Sequence, residues 1–463
     1  MFETSVYTER RSRLSSMLTG GLILLTGNEE SSMSYKANVY PFRQDSTFLY
    51  FLGLDRPGLV AVLDLDSGTE ILFGDDIGIE DLVWTGPVEP LSAQAARAGI
   101  TDVRPLSALA VPLSGARSKG RTIHFLPPYR PEHTLQLHSL LDIPIPQIHE
   151  SVCLDLIRAV VALRSVKSPA EVREIEKGVN TTNEMQLAAA RGAREGMTEA
   201  ALAGVLHGIA VSAGGNLAFP TILTVNGQIL HNHYSDHLLD KGRLVICDCG
   251  AETASHYGGD LTRTFPVDKT FTPLQKEVYQ IVLEAQEAAV AALRPGILYK
   301  DVHLLACARL VEGLQAIGLM KGDVQEAVAE GAHALFFQCG LGHMLGLDTH
   351  DMENLGEAYV GYTDTLLKST QFGLKSLRLG RALEEGFVVT VEPGLYFIPE
   401  LMDSWRSDRK LERFIRYDKL EPFRTFGGIR IEEDFLITAD GSKLLGDPIP
   451  KSAAGIEALR QLS

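Results

Sequence analysis

The sequence predicts an α+β fold in two parts: an α/β layer of short strands to about residue 160, then an α+β domain over 161–463. Three observations carry this. Short β-rich runs alternate with turns and helical stretches in the first part. Two strong helix starts, each a capping hydroxyl residue followed by Pro, come after residue 160. Apolar strands of the second part end in acidic residues.

Composition narrows the function. The chain has 463 residues, 45% hydrophobic and 22% charged, which is ample material for a core. Its formal charge of −16, from 43 Lys+Arg against 59 Asp+Glu, argues against a nucleic-acid or anionic-membrane partner. It suits a protein that gathers carboxylates around cations. The N-terminal stretch lacks the apolar segment of a signal peptide, Gly21–Thr26 being too short, and no run approaches the ~20 residues of a membrane span. Cys153, Cys247, Cys249, Cys307 and Cys339 form an odd set without disulfide spacing, which favours a reducing cytoplasm. The Cys247/Cys249 pair has no second Cys pair or H-x₃₋₅-H to complete a zinc site.

In chain order, Leu22–Thr26, Phe48–Leu52, Leu59–Leu65, Ile71–Phe73 and Ile123–Leu126 read as strands, and Leu91–Ala98 as a helix before Gly99. Titratable groups converge little here, so this part reads as a scaffold or cover. Trp84, in Trp84-Thr85-Gly86-Pro87, reads as a large aromatic in a turn, by itself a half-buried packing residue. Beyond residue 160, Ser168-Pro169-Ala170-Glu171 opens a helix expected to reach Glu195. Thr198 caps another that ends before Gly214. Thr272-Pro273-Leu274-Gln275 opens a third that ends before Pro295, and Tyr299 to Ile317 forms a fourth. Thr221–Val225, 244–249, Phe387–Val391 and Gly428–Glu433 read as strands. Pro399–Arg424, dense in charges of both signs, reads as a solvated helical insertion.

Arg243–Pro266 organises the rest. The run Leu244-Val245-Ile246 ends in Cys247-Asp248-Cys249, and a second extended stretch carries Asp260, Thr262 and Thr264 on one face. If the two strands are neighbours, Asp248 and Asp260 converge inside a core, where an ionised carboxylate needs a compensating cation. Three more segments add candidates. Gly340-Leu341-Gly342-His343 opens a glycine-rich turn that places His343 and His350 seven residues apart. Thr390-Val391-Glu392-Pro393-Gly394 puts a carboxylate at a strand end. In Gly428–Asp434, alternation sets Arg430 and Glu432 on one face and Glu433 on the other. Each signal alone is weak, but together they give two Asp, two Glu and one His. Two carboxylates ~4 Å apart repel by about 4 kcal/mol at an effective dielectric of 20. Four carry −4, which two divalent cations neutralise. Oxygen-rich ligation with one imidazole suits Mn²⁺ or Co²⁺, with Zn²⁺ as a further candidate, and paired ions of this kind serve hydrolysis.

These motifs, D-x-T-R-T, G-L-G-H-M-L-G-L-D-T-H-D, T-V-E-P-G and G-G-I-R-I-E-E-D, resemble those of the proline-specific pita-bread metallopeptidases, prolidase and aminopeptidase P. The resemblance covers the whole chain and implies a creatinase-like N-terminal domain, 1–160, before a pita-bread catalytic domain, 161–463. It implies Asp248, Asp260, His343, Glu392 and Glu432 as ligands of two divalent ions, with Asp260 and Glu432 bridging or bidentate. It further implies Glu392 as general base, His350 at the carbonyl oxygen, His233 facing the substrate and Arg430 orienting the ligands. The substrate would be a peptide with proline in second position. Asp248 and Asp260 stand one residue further apart than in the family pattern, a difference expected to fall in the Thr253–Tyr257 turn.

Gly373–Arg378 and the insertion before Gly427 are similar to the prolidase branch, with Arg378 in position to hold a dipeptide carboxylate. Aminopeptidase P, acting on longer peptides, is the alternative. Methionine aminopeptidase is disfavoured by length, and a metal-free binding protein by the complete ligand set. Trp84-Thr85-Gly86 is similar to the family's tryptophan that reaches a neighbouring subunit's site, which implies a homodimer or larger assembly.

Overall fold

In the computed structural model, which describes residues 2–462, the early apolar runs become the strands of one sheet. These are β1 (Leu22–Thr26), β2 (Val60–Asp64), β3 (Thr69–Phe73), β4 (Asp102–Arg104) and β5 (Ile123–His124), in the order β4-β3-β2-β1-β5. Antiparallel β1, β2 and β3 form its centre, and β4 and β5 join parallel at the edges. Alternation sends Leu22, Leu24, Val60, Val62, Ile71 and Phe73 into one core with Leu113 and Leu137 of the helices Ala110–Ser118 and Pro131–Leu141.

Two expectations fail in this part. Phe48–Leu52 is not a strand but the end of a helix, Ser46–Leu52, whose seven residues are all buried. A short run that is apolar all round carries no period to distinguish the two. The deciding signals are the flanks: Asp45 Oδ1 accepts from Phe48 N at 2.8 Å, and Gly53 closes the helix at φ 64°. Trp84 lies in a helix, Ile79–Thr85, rather than a turn, and it is 87% exposed beside Ile79 and Val83.

The helices of the second part start where their capping residues place them. Pro169–Gly192 and Pro273–Ala292 both have complete capping boxes, Ser168 with Glu171 and Thr272 with Gln275. The first stops at Gly192 rather than Glu195, because Ala193 turns extended. Glu199–Ser212 and Tyr299–Ala316 follow. The strands are β6 (Asn216–Leu217), β7 (Ile222–Thr224), β8 (Leu244–Cys249), β9 (Ala251–Glu252), β10 (Leu261–Pro266), β11 (Val388–Val391), β12 (Gly394–Tyr396), β13 (Gly428–Arg430), β14 (Glu433–Ile437) and β15 (Ser442–Leu444). They form antiparallel sheets β10-β8-β7 and β11-β14-β15, with β12-β13 and β6-β9 as pairs.

The expected strand Gly428–Glu433 is broken at Ile431-Glu432, so β13 pairs with β12 and β14 with β11. The 399–424 insertion is only partly a solvated helix. It is helical over Pro399–Ser407, and it buries Met402, Trp405, Phe414, Ile415 and Leu420 in the core. The chain divides into two compact units, residues up to Arg164 with Glu353–Tyr359, and Ser165–Met352 with Val360 onward. Among the described residues, no helix is long and apolar enough to cross a membrane.

The helix at 46–52 makes a measurable claim. Asp45→Ala removes its cap and should cost about 1 kcal/mol in urea unfolding, with Asp45→Asn nearly neutral. An Ala variant as stable as wild type would contradict the cap.

Candidate metal centre

The strand pair β8–β10 sets the floor of the site. Thr262 lies opposite Asp248, so both point to one side, and Cys247 and Cys249 turn to the other. There Gln186 Nε2 donates to the carbonyls of Cys247 and Leu261, which fills the back of the pair. The Cys-x-Cys pair therefore faces core rather than the acids. Asp260 precedes β10 instead of lying within it, and its N–H donates to Asp434 Oδ2 at 3.0 Å. Between the strands, Thr253 N donates to Tyr257 O at 3.0 Å, closing a turn in which His256 is left-handed at φ 67°.

The glycine-rich turn supplies the histidine. A Cβ on Gly342 would lie 2.2 Å from the Thr390 carbonyl, so only glycine lets this segment run beside β11. Three bonds hold it there: Glu392 N to Leu341 O, Thr390 N to His343 O, and Leu345 N to Val388 O, at 2.7, 3.0 and 3.0 Å. His343 Nδ1 donates to Met344 O at 3.0 Å. That contact turns the Nε2 lone pair to the acids, 3.4 Å from Asp260 Oδ2 and 3.6 Å from Glu392 Oε1. Burial lowers the His343 pKa and keeps the ring neutral, as a ligand requires.

Glu432 and Arg430 arrive from either side of the strand break. Glu432 N donates to Thr262 O, and its Oε2 accepts from Thr262 Oγ1 at 2.6 Å. Arg430 donates to Thr262 Oγ1, Tyr396 OH and Asp248 Oδ2, at 3.1, 2.9 and 2.6 Å. Asp260, His343 and Glu432 can each offer a ligand atom within 4.8 Å of one another. The Oδ1 atoms of Asp248 and Asp260 are buried and have no hydrogen-bond partner among the described residues.

Electrostatics shows what the cluster lacks. Burial, reinforced by neighbouring carboxylates, pushes Asp260 and Glu432 far above the carboxylate range and Glu392 up to about 7. Orphaned oxygens, one lone-pair imidazole nitrogen and four mutually repelling carboxyls fit a pair of divalent ions.

Around this centre lie the remaining candidates. The His350 ring is 4.4 Å from the His343 ring at 70°. Its loop is fixed by a buried pair, Lys167 Nζ to Asp351 Oδ2 at 2.9 Å, and by Asp351 N to Met344 O. Arg378 is half-buried, and its charge acts on both His231 and His343. Its backbone neighbour Leu377 passes so near Gly340 that a Cβ there would sit 2.9 Å from the Leu377 Cα.

The motif gives the substrate-facing role to His233 and leaves His231 without one. The structure turns His233 to Thr221 O, 3.4 Å away, and bridges it with Ile222. His231, two residues earlier, has its charge coupled to Arg430, Asp248, Arg378 and His350. No local signal separates the two histidines, because the register against β7 decides. Their loop hangs on buried Glu199, which accepts from Val225 N, Ser235 N and Ser235 Oγ.

Comparison with known proteins adds the family. The model described as metallopeptidase family M24 matches residues 173–439, and that of the aminopeptidase P N-terminal domain matches residues 7–124. A human Xaa-Pro dipeptidase is 29% identical, over 97% of this chain and 90% of its own. A zinc-substituted Escherichia coli aminopeptidase P in complex with product superposes with a TM-score of 0.81 at 29% identity, over 99% and 98% of the two chains. The Yersinia pestis proline aminopeptidase P II gives 0.82 at 28% identity over the whole of both chains. The fold is therefore that of aminopeptidase P, an N-terminal domain followed by a pita-bread domain.

The raised carboxyls give a pH signature. Between their ordinary values near 4.5 and about 7 for Glu392, the folded metal-stripped chain binds more protons than the unfolded one. Its stability therefore falls as pH rises through that window. Divalent ions take the place of those protons, so stabilisation by added Mn²⁺ should widen from pH 5 to pH 7.5. Thermal midpoints of stripped and loaded protein at both values test this, and a gain independent of pH would contradict it.

Proposed function

The chain belongs to metallopeptidase family M24, and we propose that it cleaves the peptide bond before proline with two divalent ions, above all in dipeptides. The observation that carries this is the acid cluster: Asp260, His343 and Glu432 can each offer a ligand atom within 4.8 Å of one another, Glu392 Oε1 lies 3.6 Å from His343 Nε2, and the buried Oδ1 atoms of Asp248 and Asp260 have no hydrogen-bond partner among the described residues. Asp260 and Glu432 would hold both ions, with the other three completing the set. When bound, the ions supply Lewis-acid polarisation and a nucleophilic water near neutral pH. The chain's own groups do the rest. Glu392 takes a proton from the attacking water. His350 steadies the charge that develops on the carbonyl oxygen. His231 takes the substrate-facing role that the motif gives to His233. Arg430, through its bond to Asp248 Oδ2, keeps that carboxylate aimed. Mn²⁺ suits the oxygen-rich set best, ahead of Co²⁺ and Zn²⁺. Five free cysteines support residence in the cytoplasm.

Dipeptide preference rests on Arg378. A dipeptide ends in a carboxylate one residue beyond the scissile bond, and a guanidinium can hold it with two parallel hydrogen bonds. The alternative, removal of an N-terminal residue from longer peptides, is supported by the full-length likeness to aminopeptidase P.

Rates on Gly-Pro and on a matched Gly-Pro-Gly, with Mn²⁺, separate the readings. Wild type should cleave Gly-Pro, and chelation should abolish the activity. Arg378→Ala should lower kcat/KM on the dipeptide by ~10- to 150-fold, the worth of a lost charged hydrogen bond, and affect the tripeptide far less. Equal losses on both would favour aminopeptidase P, and cleavage of neither would end the proposal.

The exposed face Ile79, Val83 and Trp84 supports a homodimer in which Trp84 reaches the partner's site. Trp84→Ala should raise KM with the fold retained, and sedimentation should give a dimer. A fully active monomer would contradict this.

A further inference from the structure

A second cluster of ligating side chains lies within the catalytic unit. His303 and Cys307 stand four residues apart on one face of the helix Tyr299–Ala316, with His303 Nε2 and Cys307 Sγ 3.4 Å apart. His333 comes from the short 3₁₀ helix Ala332–Leu335. Each of the three can offer one ligand atom within 4.8 Å of the others, and all are buried. Among the described residues, neither ring nitrogen of His333 has a hydrogen-bond partner, nor does His303 Nδ1. A buried polar atom left unsatisfied is costly, so three in one place call for a partner.

We propose that His303, Cys307 and His333 form a second metal site, closed and separate from the acid cluster, that binds one Cu(I) ion. Ligand type and charge both argue for it. One thiolate and two imidazoles are a soft set, which selects Cu(I) or Zn²⁺ over the Mg²⁺, Ca²⁺ and Mn²⁺ that carboxylates hold. The surroundings are apolar, with Phe337 5.5 Å from the His303 ring and Cys307 buried in the same core cluster as Ala332, Leu335 and Phe336. Among the described residues, the charges that act on the three groups are not carboxylates: His303 feels His333, and Cys307 feels Cys339. A thiolate with Cu(I) sums to zero charge, whereas Zn²⁺ would leave one positive charge buried and unpaired. Both imidazoles are held neutral by burial and are ready to ligate. Metal–ligand distances of ~2.0–2.3 Å put three trigonal ligand atoms roughly 3.5–3.7 Å apart, so a side-chain rotation of about 1 Å closes the site. On binding, the Cys307 S–H bond breaks, an S–Cu bond forms and the proton leaves to solvent. Copper enters and stays as Cu(I), with no change of oxidation state.

The test uses the full chain loaded with Mn²⁺, titrated anaerobically with Cu(I) against a competing chelator. Wild type and Asp260→Asn should each retain one tightly held copper per chain, with sulfur and nitrogen scatterers in X-ray absorption. Cys307→Ser should bind it more than ~100-fold more weakly, since even partners outside the ligand shell are worth 10- to 100-fold. His333→Gln gives a second variant should Cys307→Ser fail to fold by circular dichroism. Copper retained unchanged in either folded variant, absence of sulfur from the wild-type spectrum, or uptake of Zn²⁺ in place of Cu(I) would overturn the assignment.

Discussion

Buried Asp248, Asp260 and Glu432, with the partly buried Glu392, gather around the Arg430 guanidinium, which can offset only one of their four charges. At about 4 kcal/mol per close ionised pair, even at a generous dielectric, the metal-free fold holds these carboxyls together only by taking up protons. The strands that deliver it are otherwise ordinary. β8, β10, β11 and the broken β13–β14 segment are buried apolar ribbons, each contributing one acid at or near its end. Their pairing makes sense only if positive charge arrives from outside the chain. Folding and metal loading are thus two sides of one balance, and the rest of the catalytic unit serves to keep these strand ends in place.

The frame behind the cluster shows how acids a few residues apart take different roles. Thr262 and Thr264 face the site and bond Glu432 and the Arg430 backbone. Arg263, between them, points to the opposite side. It donates to Glu433 Oε1 and to the carbonyls of Glu432 and Pro450. Lys451 adds a second cation to Glu433. Neighbouring carboxylates therefore divide by side: Glu433 meets Arg263 and Lys451, and Glu432 meets a hydroxyl. Glu433 thus has its charge met within the chain, whereas Glu432 receives only a neutral donor.

This division explains how much could be read from the residues. The acid-bearing strands were legible because several apolar β-rich runs of one domain end in Asp or Glu, a set that points further than any one of them, and the long helices were legible from their caps. Alternation correctly separated Glu432 from Glu433, although the strand is broken between Arg430 and Glu433. What failed depends on non-local contacts. Phe48–Leu52 is apolar all round and has no period to read. His231 and His233 share a local pattern, and only the pairing with β7 tells them apart. The grouping of Glu353–Tyr359 with the first unit leaves no mark in composition.

Two metal chemistries can coexist in one catalytic unit because their ligand sets do not compete. The acid centre is hard, oxygen-rich and strongly negative, so it discriminates by charge. The His303–Cys307–His333 cluster is soft, buried and free of carboxylates, so it discriminates by polarisability. One helix serves both. Tyr299, in the first turn of Tyr299–Ala316, donates to Thr390 O at 2.5 Å, on β11, the strand that Glu392 directly follows. His303 and Cys307 occupy the next two turns. Cys339 touches both sets in electrostatic terms: burial, reinforced by the Glu392 carboxylate, pushes its thiol up to about 12, and Cys339 in turn acts on Cys307. An ion on the soft cluster would therefore stiffen the helix that braces β11 without touching a catalytic ligand, and its influence on the acid centre would pass through Tyr299 and the Thr390 carbonyl.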